Sequence, residues 1–251
     1  MTEIDRMKED LNAYKAAYTE QFPYHRDEEA LLAAYARKIV ERLQGQQSLR
    51  VLSLGIGGQR VSQAIRDQLD VTDYHILEGS ADIIARYRAE TVPPAHVSIH
   101  HTYFENAHFE QPFDAIEMGF VLEHVDDPGL ILRRFRTFLK PGGVLFAAVP
   151  NARSLHRLLG HCAGFLADLH GLSQYDRELG HKRYFDSHSI SRLVEDSGYV
   201  ILDKVGLVLK PLTTSQLQQL SLAPSIEKAF IDVGYDLPDI CNGILLTARP
   251  A

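Results

Sequence analysis

"VLSLGIGGQRVS", residues 51–62, is a short apolar run that ends in glycines and passes directly into a helical pattern. The run has the length of a buried strand, and Val61, Ala64, Ile65 and Leu69 recur at helical spacing after it. Gly55, Gly57 and Gly58 lie at the junction, where glycine lets a ligand approach the main chain beside the carboxyl end of a strand. On its own, such a turn is also explained by strand-to-helix geometry. Glu78 supports binding, because it ends the next apolar run, "HILE", 23 residues after Gly55. That separation is close to the roughly 20 residues expected of an acid that accepts hydrogen bonds from ribose hydroxyls; the competing reading is a solvated Glu that caps the following helix.

Working outward, apolar runs alternate with amphipathic stretches from residue 50 onward. "RVLSLG" (50–55), "DYHILEG" (73–79), "HVSIHH" (96–101), "FDAIEMG" (113–119) and "GVLFAAVP" (143–150) read as strands. "YVILDKVGLVLKP" (199–211) and "DICNGILLTARP" (239–250) read as the last two. This alternation predicts a parallel sheet with helices on both faces. In 127–143, Ile131, Phe135 and Phe138 line one helical face and Lys140-Pro141-Gly142-Gly143 is the predicted stop. In 185–199, Asp186 or Ser187 caps a helix with Ile190, Leu193 and Val194 inward, and Gly198 closes it. Before residue 50, Leu32, Tyr35, Ile39 and Leu43 predict a helix from about Asp27 to Leu43, with another expected before Pro23. The stretches 151–185 and 211–238 fit no strand–helix alternation and are long enough for helical insertions or lids. "SLHRLLGHCAGFLADLHGL" (154–172) reads as one amphipathic helix, a lid or a dimer contact.

Composition narrows the classes. The 251 residues, 45% of them hydrophobic, suffice for one α/β domain with an appendage. With 26 Lys+Arg against 33 Asp+Glu the formal charge is −7, so no overall basic field favours nucleic acid or an anionic membrane as partner. Cys162 and Cys241 are too few for a disulfide framework and lack zinc-site spacing. The charged start, "MTEIDRMKEDLNAYK", and the lack of any apolar run near 20 residues predict a cytoplasmic protein.

A ribose-binding acid leaves dinucleotides and S-adenosylmethionine as the large cofactor classes. Gly55-Ile56-Gly57-Gly58-Gln59-Arg60 lacks the last glycine of G-x-G-x-x-G, which weakens the nicotinamide-dependent oxidoreductase reading. Residues 50–205 resemble the class I S-adenosylmethionine-dependent methyltransferases, specifically the bacterial small-molecule enzymes. The resemblance rests on "VLSLGIGG", "ILEGS", "FDAIEMGFVLEHVDDPGLILRRF", "FLKPGGVLFAAVPN" and "GHKRYFDSHSISRLVEDSGY". It implies a Rossmann-like, mostly parallel seven-stranded sheet, with an N-terminal helical segment (1–49) and a methyltransferase domain (50–251) carrying insertions at about 151–186 and 211–238.

The resemblance further implies that Gly55 and Gly57 pass beneath the cofactor's methionine part, that Gly58 also binds the cofactor, and that Glu78 holds its ribose. Tyr103 and Phe104 lie beside the adenine, and Met118, Gly119 and Phe120 touch the amino-acid part. Two positions depart from the family pattern: Ser53 stands where an acid is common, and Gln59 replaces the usual last glycine. A hydroxyl acceptor profits from a general base and histidine suits that task near neutral pH, so His181, in "GHKRYF", is the first catalytic candidate and His124, in "LEHV", the second. For each, a packing or capping histidine is the competing reading. Arg183 and Tyr184 are candidates for substrate binding, Arg183 through an anionic group. Glu105, Asp126 and Asp127 lie near the cleft by topology, but the converging ligands a metal needs are not assembled, so no metal is expected. The expected partner is a small-molecule methyl acceptor, with a sugar or nucleotide-sugar hydroxyl or amine first, and a homodimer is possible. A non-enzymatic alternative, a scaffold that has lost catalysis at Ser53 and Gln59, predicts little cofactor binding.

Overall fold

The structure, a computed structural model, describes Leu11, Asn12, residues 24–57 and residues 59–251. The helix expected before Pro23 and the cofactor role given to Gly58 lie outside the described residues.

The apolar runs form β1 (Leu49–Leu54), β2 (Val71–Glu78), β3 (Val97–His101), β4 (Phe113–Gly119), β5 (Leu139–Pro150), β6 (Tyr199–Leu207) and β7 (Gly243–Pro250). They make one seven-stranded sheet in the order β3-β2-β1-β4-β5-β7-β6. The first five strands pair in parallel, and β7 runs antiparallel between β5 and β6. The chain order reverses between β1 and β4, so the crevice beyond their carboxyl ends is the place where an open α/β sheet takes a ligand.

Strand alternation sends side chains to two cores. On one face, Leu52, Ile116, Leu145 and Ala147 meet Ile131, Leu132 and Phe135 of α4 (Pro128–Arg136) and Ile190 and Val194 of α7 (Ser187–Asp196). On the other, Val51, Ile76 and Phe146 meet α1 (His25–Leu43), α2 (Arg60–Gln68) and α3 (Ala81–Glu90). Tyr35 and Ile39 of α1 are wholly buried, and each such side chain contributes about 2 kcal/mol of apolar burial. Asp186 caps α7 by accepting from Ser189 N–H at 2.8 Å.

Two local expectations need correcting. The segment Lys140–Gly143 is not a helix stop: α4 ends at Arg136, Leu139 already pairs with Phe113, and the glycines form an irregularity before Ala115 meets Val144. Gly142, with φ of +81°, supplies that kink. The amphipathic stretch 154–172 is helical only over α5 (Leu155–Cys162), because Gly164 turns left-handed (φ +81°) and leaves Phe165 90% exposed. The first insertion continues through α6 (Gln174–Glu178), and the second holds α8 (Thr214–Gln219) and α9 (Pro224–Gly234). Among the described residues no helix is long and apolar enough to cross a membrane.

Candidate functional site

A cavity of about 1130 Å³ opens over the carboxyl ends of β1, β2 and β4 and extends under the first insertion. Its two ends differ in chemistry.

At one end lie Gly55 and Gly57, with φ of +87° and +52°. A Cβ added to either would meet nothing within 4 Å, so the glycines leave an open path over the loop as well as a backbone that other residues resist. Gln59 occupies the left-handed region too (φ +65°), where glycine would be relaxed. Its amide tethers this turn, donating to Glu90 at 2.6 Å and accepting from the Thr91 hydroxyl at 3.1 Å. At Gln59 the left-handed backbone is thus held by side-chain bonds.

Glu78 is 7% exposed and ties two loops together: one carboxylate oxygen accepts from Ile56 N–H at 3.1 Å and the other from Ser80 N–H at 2.8 Å. Burial pushes its carboxyl upward, against the lowering effect of those amides. Each oxygen keeps a further lone pair for a ligand hydroxyl. Ser80, rather than Glu78, caps α3 through its hydroxyl. Tyr103 and Phe104 line the cavity where a short 3-10 turn (Phe104–Asn106) follows β3. Gly119 and Phe120 also line it; a Cβ on Gly119 would come within 2.2 Å of the Tyr35 ring, and Phe120 is held at φ +58°. Met118 does not: it is fully buried in the core on the opposite face, because strand alternation turns it away from the cavity. The residues present fit an adenosyl cofactor, with an open glycine path, a buried acid that keeps lone pairs for a ligand hydroxyl, and an aromatic wall.

At the other end, the chain after β4 and the end of the first insertion meet. The His124 and His181 rings pack edge to face, 4.7 Å between centroids. Burial, reinforced by His181, pushes His124 down to about 3, so its ring is a poor proton acceptor near neutral pH. His181 has a carboxylate beside it: Asp176 Oδ1 lies 3.6 Å from His181 Nδ1. Asp176 accepts from the Ser173 hydroxyl at 2.7 Å and from Tyr184 Oη at 2.8 Å. Although burial works the other way, His181, Ser173 and Tyr184 hold Asp176 well below the usual carboxylate range. Asp176 was not foreseen from the sequence; its only signal is the Ser173–Asp176 capping box that starts α6. Tyr184 lines the cavity, with the Arg157 guanidinium 4.2 Å over its ring.

Arg183 does not line the cavity. Its guanidinium donates to the main-chain carbonyls of Leu122, Val125 and Asp126, so it braces the turn after β4 instead of offering a free cation to a substrate. Beneath that turn, Glu123 is wholly buried and, among the described residues, neither carboxylate oxygen has a hydrogen-bond partner. Burial pushes it up to about 7. Glu123, His124 and His181 each present a ligand atom, all within 4.8 Å of one another, a set with the composition of a divalent-cation site. Glu105, Asp126 and Asp127 line the cavity as topology suggested.

Comparisons with known proteins bear on the family and the fold. Residues 24–204 match the model of a methyltransferase-domain family. A ubiquinone biosynthesis O-methyltransferase of Xanthomonas campestris pv. campestris is 31% identical over 165 residues, 60% of this chain and 61% of that protein. Its counterpart in Acinetobacter baylyi is 25% identical over 211 residues, 82% of each. The chain thus spans about three fifths of the first of these relatives. Among solved structures, an S-adenosylmethionine-dependent methyltransferase from Mesorhizobium loti superposes with a TM-score of 0.60 at 18% identity, over 87% of this chain and 99% of that one. The N-methyltransferase NodS of Bradyrhizobium japonicum, in complex with S-adenosylhomocysteine, gives 0.57 at 11% identity, over 97% and 99%. The expected seven-stranded Rossmann-like fold is thereby the observed one, and the chain belongs to the methyltransferase-domain family.

Proposed function

We propose that the protein transfers a methyl group from S-adenosylmethionine to a hydroxyl oxygen of a small molecule. The observation that carries this reading is the single cavity joining the Gly55–Glu78 end to the His181–Asp176 pair. Gly55, Gly57, Glu78, Tyr103, Phe104, Gly119 and Phe120 would hold the cofactor, whose sulfonium supplies an electrophilic methyl group when bound. The chain's own task is then to seat the acceptor in line, exclude water and take its proton. His181 takes the hydroxyl proton, and Asp176 fixes the ring and stabilises the imidazolium that results. Tyr184, which donates to Asp176, keeps that carboxylate aimed. His124 packs against the base and shapes the wall beside it.

Oxygen is favoured over nitrogen as acceptor because a base with a carboxylate partner is what a hydroxyl needs, and because the curated relatives are named O-methyltransferases. Their name, which places them in ubiquinone biosynthesis, also moves an acceptor of that class ahead of the sugar expected from the sequence. Residues 50–251 act as the methyltransferase domain, with α1 before it and the insertions 151–186 and 211–238 as covers over the acceptor. The test is transfer of isotopically labelled methyl from S-adenosylmethionine to catechols, simple phenols, nucleotide sugars and amines. Label on a phenolic oxygen supports the reading; label on amines alone overturns the choice of oxygen, and label on no acceptor class overturns the activity.

A further inference from the structure

Glu117 is an acid in the buried middle of the central strand β4, whose other acid, Asp114, is half-buried and pairs with Lys140. Alternation puts its side chain on the α1 face, 5% exposed, yet it still lines the cavity near the glycine loop. Its Oε2 accepts from Tyr35 Oη at 3.0 Å and from Gly119 N–H at 3.1 Å. In the β1–β4 register it stands opposite Ser53, whose hydroxyl bonds Tyr74 Oη at 2.7 Å and is the neutral group facing it from β1. The donors around the carboxylate are thus all neutral, and among the described residues it forms no ion pair with a Lys, Arg or His. Burial pushes it up to about 7. A carboxylate organised by neutral donors and open to a ligand cavity is a receptor for a cation.

We propose that Glu117 binds the α-ammonium of the cofactor's amino-acid part, so that β4 supplies the negative charge that Ser53 does not supply from β1. This rests on S-adenosylmethionine being the cofactor. Gly119, next to the proposed contact, must be glycine because Tyr35 fills the space where its Cβ would stand. Tyr35 also orients the Glu117 carboxylate, so α1, which precedes the strand pattern, takes part in the cofactor site.

Two ligands separate this role from a structural one. S-adenosylhomocysteine carries the ammonium; 5′-methylthioadenosine keeps the adenosine and thioether but lacks the amino-acid part. Titration calorimetry of Glu117→Gln, nearly the same shape without the charge, is expected to show about tenfold or more loss for S-adenosylhomocysteine and an unchanged affinity for 5′-methylthioadenosine. Adding Ser53→Asp to Glu117→Gln returns the charge from the neighbouring strand and is expected to recover at least part of the loss. Equal losses for both ligands, or no loss for either, would overturn the assignment. A parent protein that binds neither ligand would instead overturn the cofactor reading, and this inference with it.

Discussion

At the glycine-loop end of the cavity, Gly55, Gly57, Glu78 and Gly119 sit on or just beyond strand ends of one parallel sheet, and their spacing along the chain fixes their positions in space. At the other end, His124 follows β4 directly, whereas Asp176, His181 and Tyr184 come from the insertion between β5 and α7. The difference is physical. Strand ends inherit their geometry from the hydrogen-bonded ladder, while the insertion is held by local caps such as Ser173–Asp176 and by contacts like Lys182 N–H to Glu123 C=O at 2.8 Å. The first end should govern cofactor affinity and the second turnover, which makes the two separable by mutation.

The largest effect expected is at His181. His181→Ala should lower kcat by about 10²–10⁴-fold, the range for loss of a general base, with S-adenosylhomocysteine affinity unchanged by calorimetry. A joint loss of both would merge the two ends. Glu78→Ala should do the reverse, weakening S-adenosylhomocysteine about 10–100-fold, as expected for charged hydrogen bonds to ribose. Binding as tight as the parent's would remove Glu78 from the ribose. Asp176→Asn keeps the shape but removes the charge beside His181; kcat should fall about tenfold in steady-state assays with little change in cofactor binding.

A smaller effect concerns stability. Folded Glu123 keeps its proton up to about 7, whereas the unfolded chain releases it near 4.5, so the parent loses stability as pH rises between those values. Glu123→Gln removes that loss, and its melting temperature relative to the parent should rise by about 5 °C from pH 5 to pH 8. A difference that does not change with pH would mean that a cation or a proton neutralises Glu123 throughout. Last, extended dialysis against a chelator should leave methyl transfer unchanged, since the Asp176–His181 pair requires no metal. Activity that vanishes and returns with a divalent cation would reassign Glu123, His124 and His181 as ligands.

The sheet was legible because every strand is an apolar run bounded by turn residues, and α1, α4 and α7 were legible from their periodic faces. Glu78 could be found because strand spacing carries it to the same edge as Gly55. Met118 was misplaced because a single step along a strand reverses the face. Arg183 was misread because its acceptors are main-chain carbonyls, which no residue pattern reveals. Asp176 reaches His181 through the folding of the insertion, which follows no regular period. Glu117 did leave a signal, an acid in the buried middle of "FDAIEMG", the central strand of the sheet, where Asp114 is only half-buried near the strand's start.

The central claim, one cavity with a cofactor end and a reaction end, is tested most directly by calorimetric titration of the parent and His181→Ala with S-adenosylhomocysteine and with NAD. The account predicts micromolar binding of S-adenosylhomocysteine to both proteins and no heat from NAD. Binding of NAD in place of the adenosyl ligand, or silence from both ligands, would contradict it.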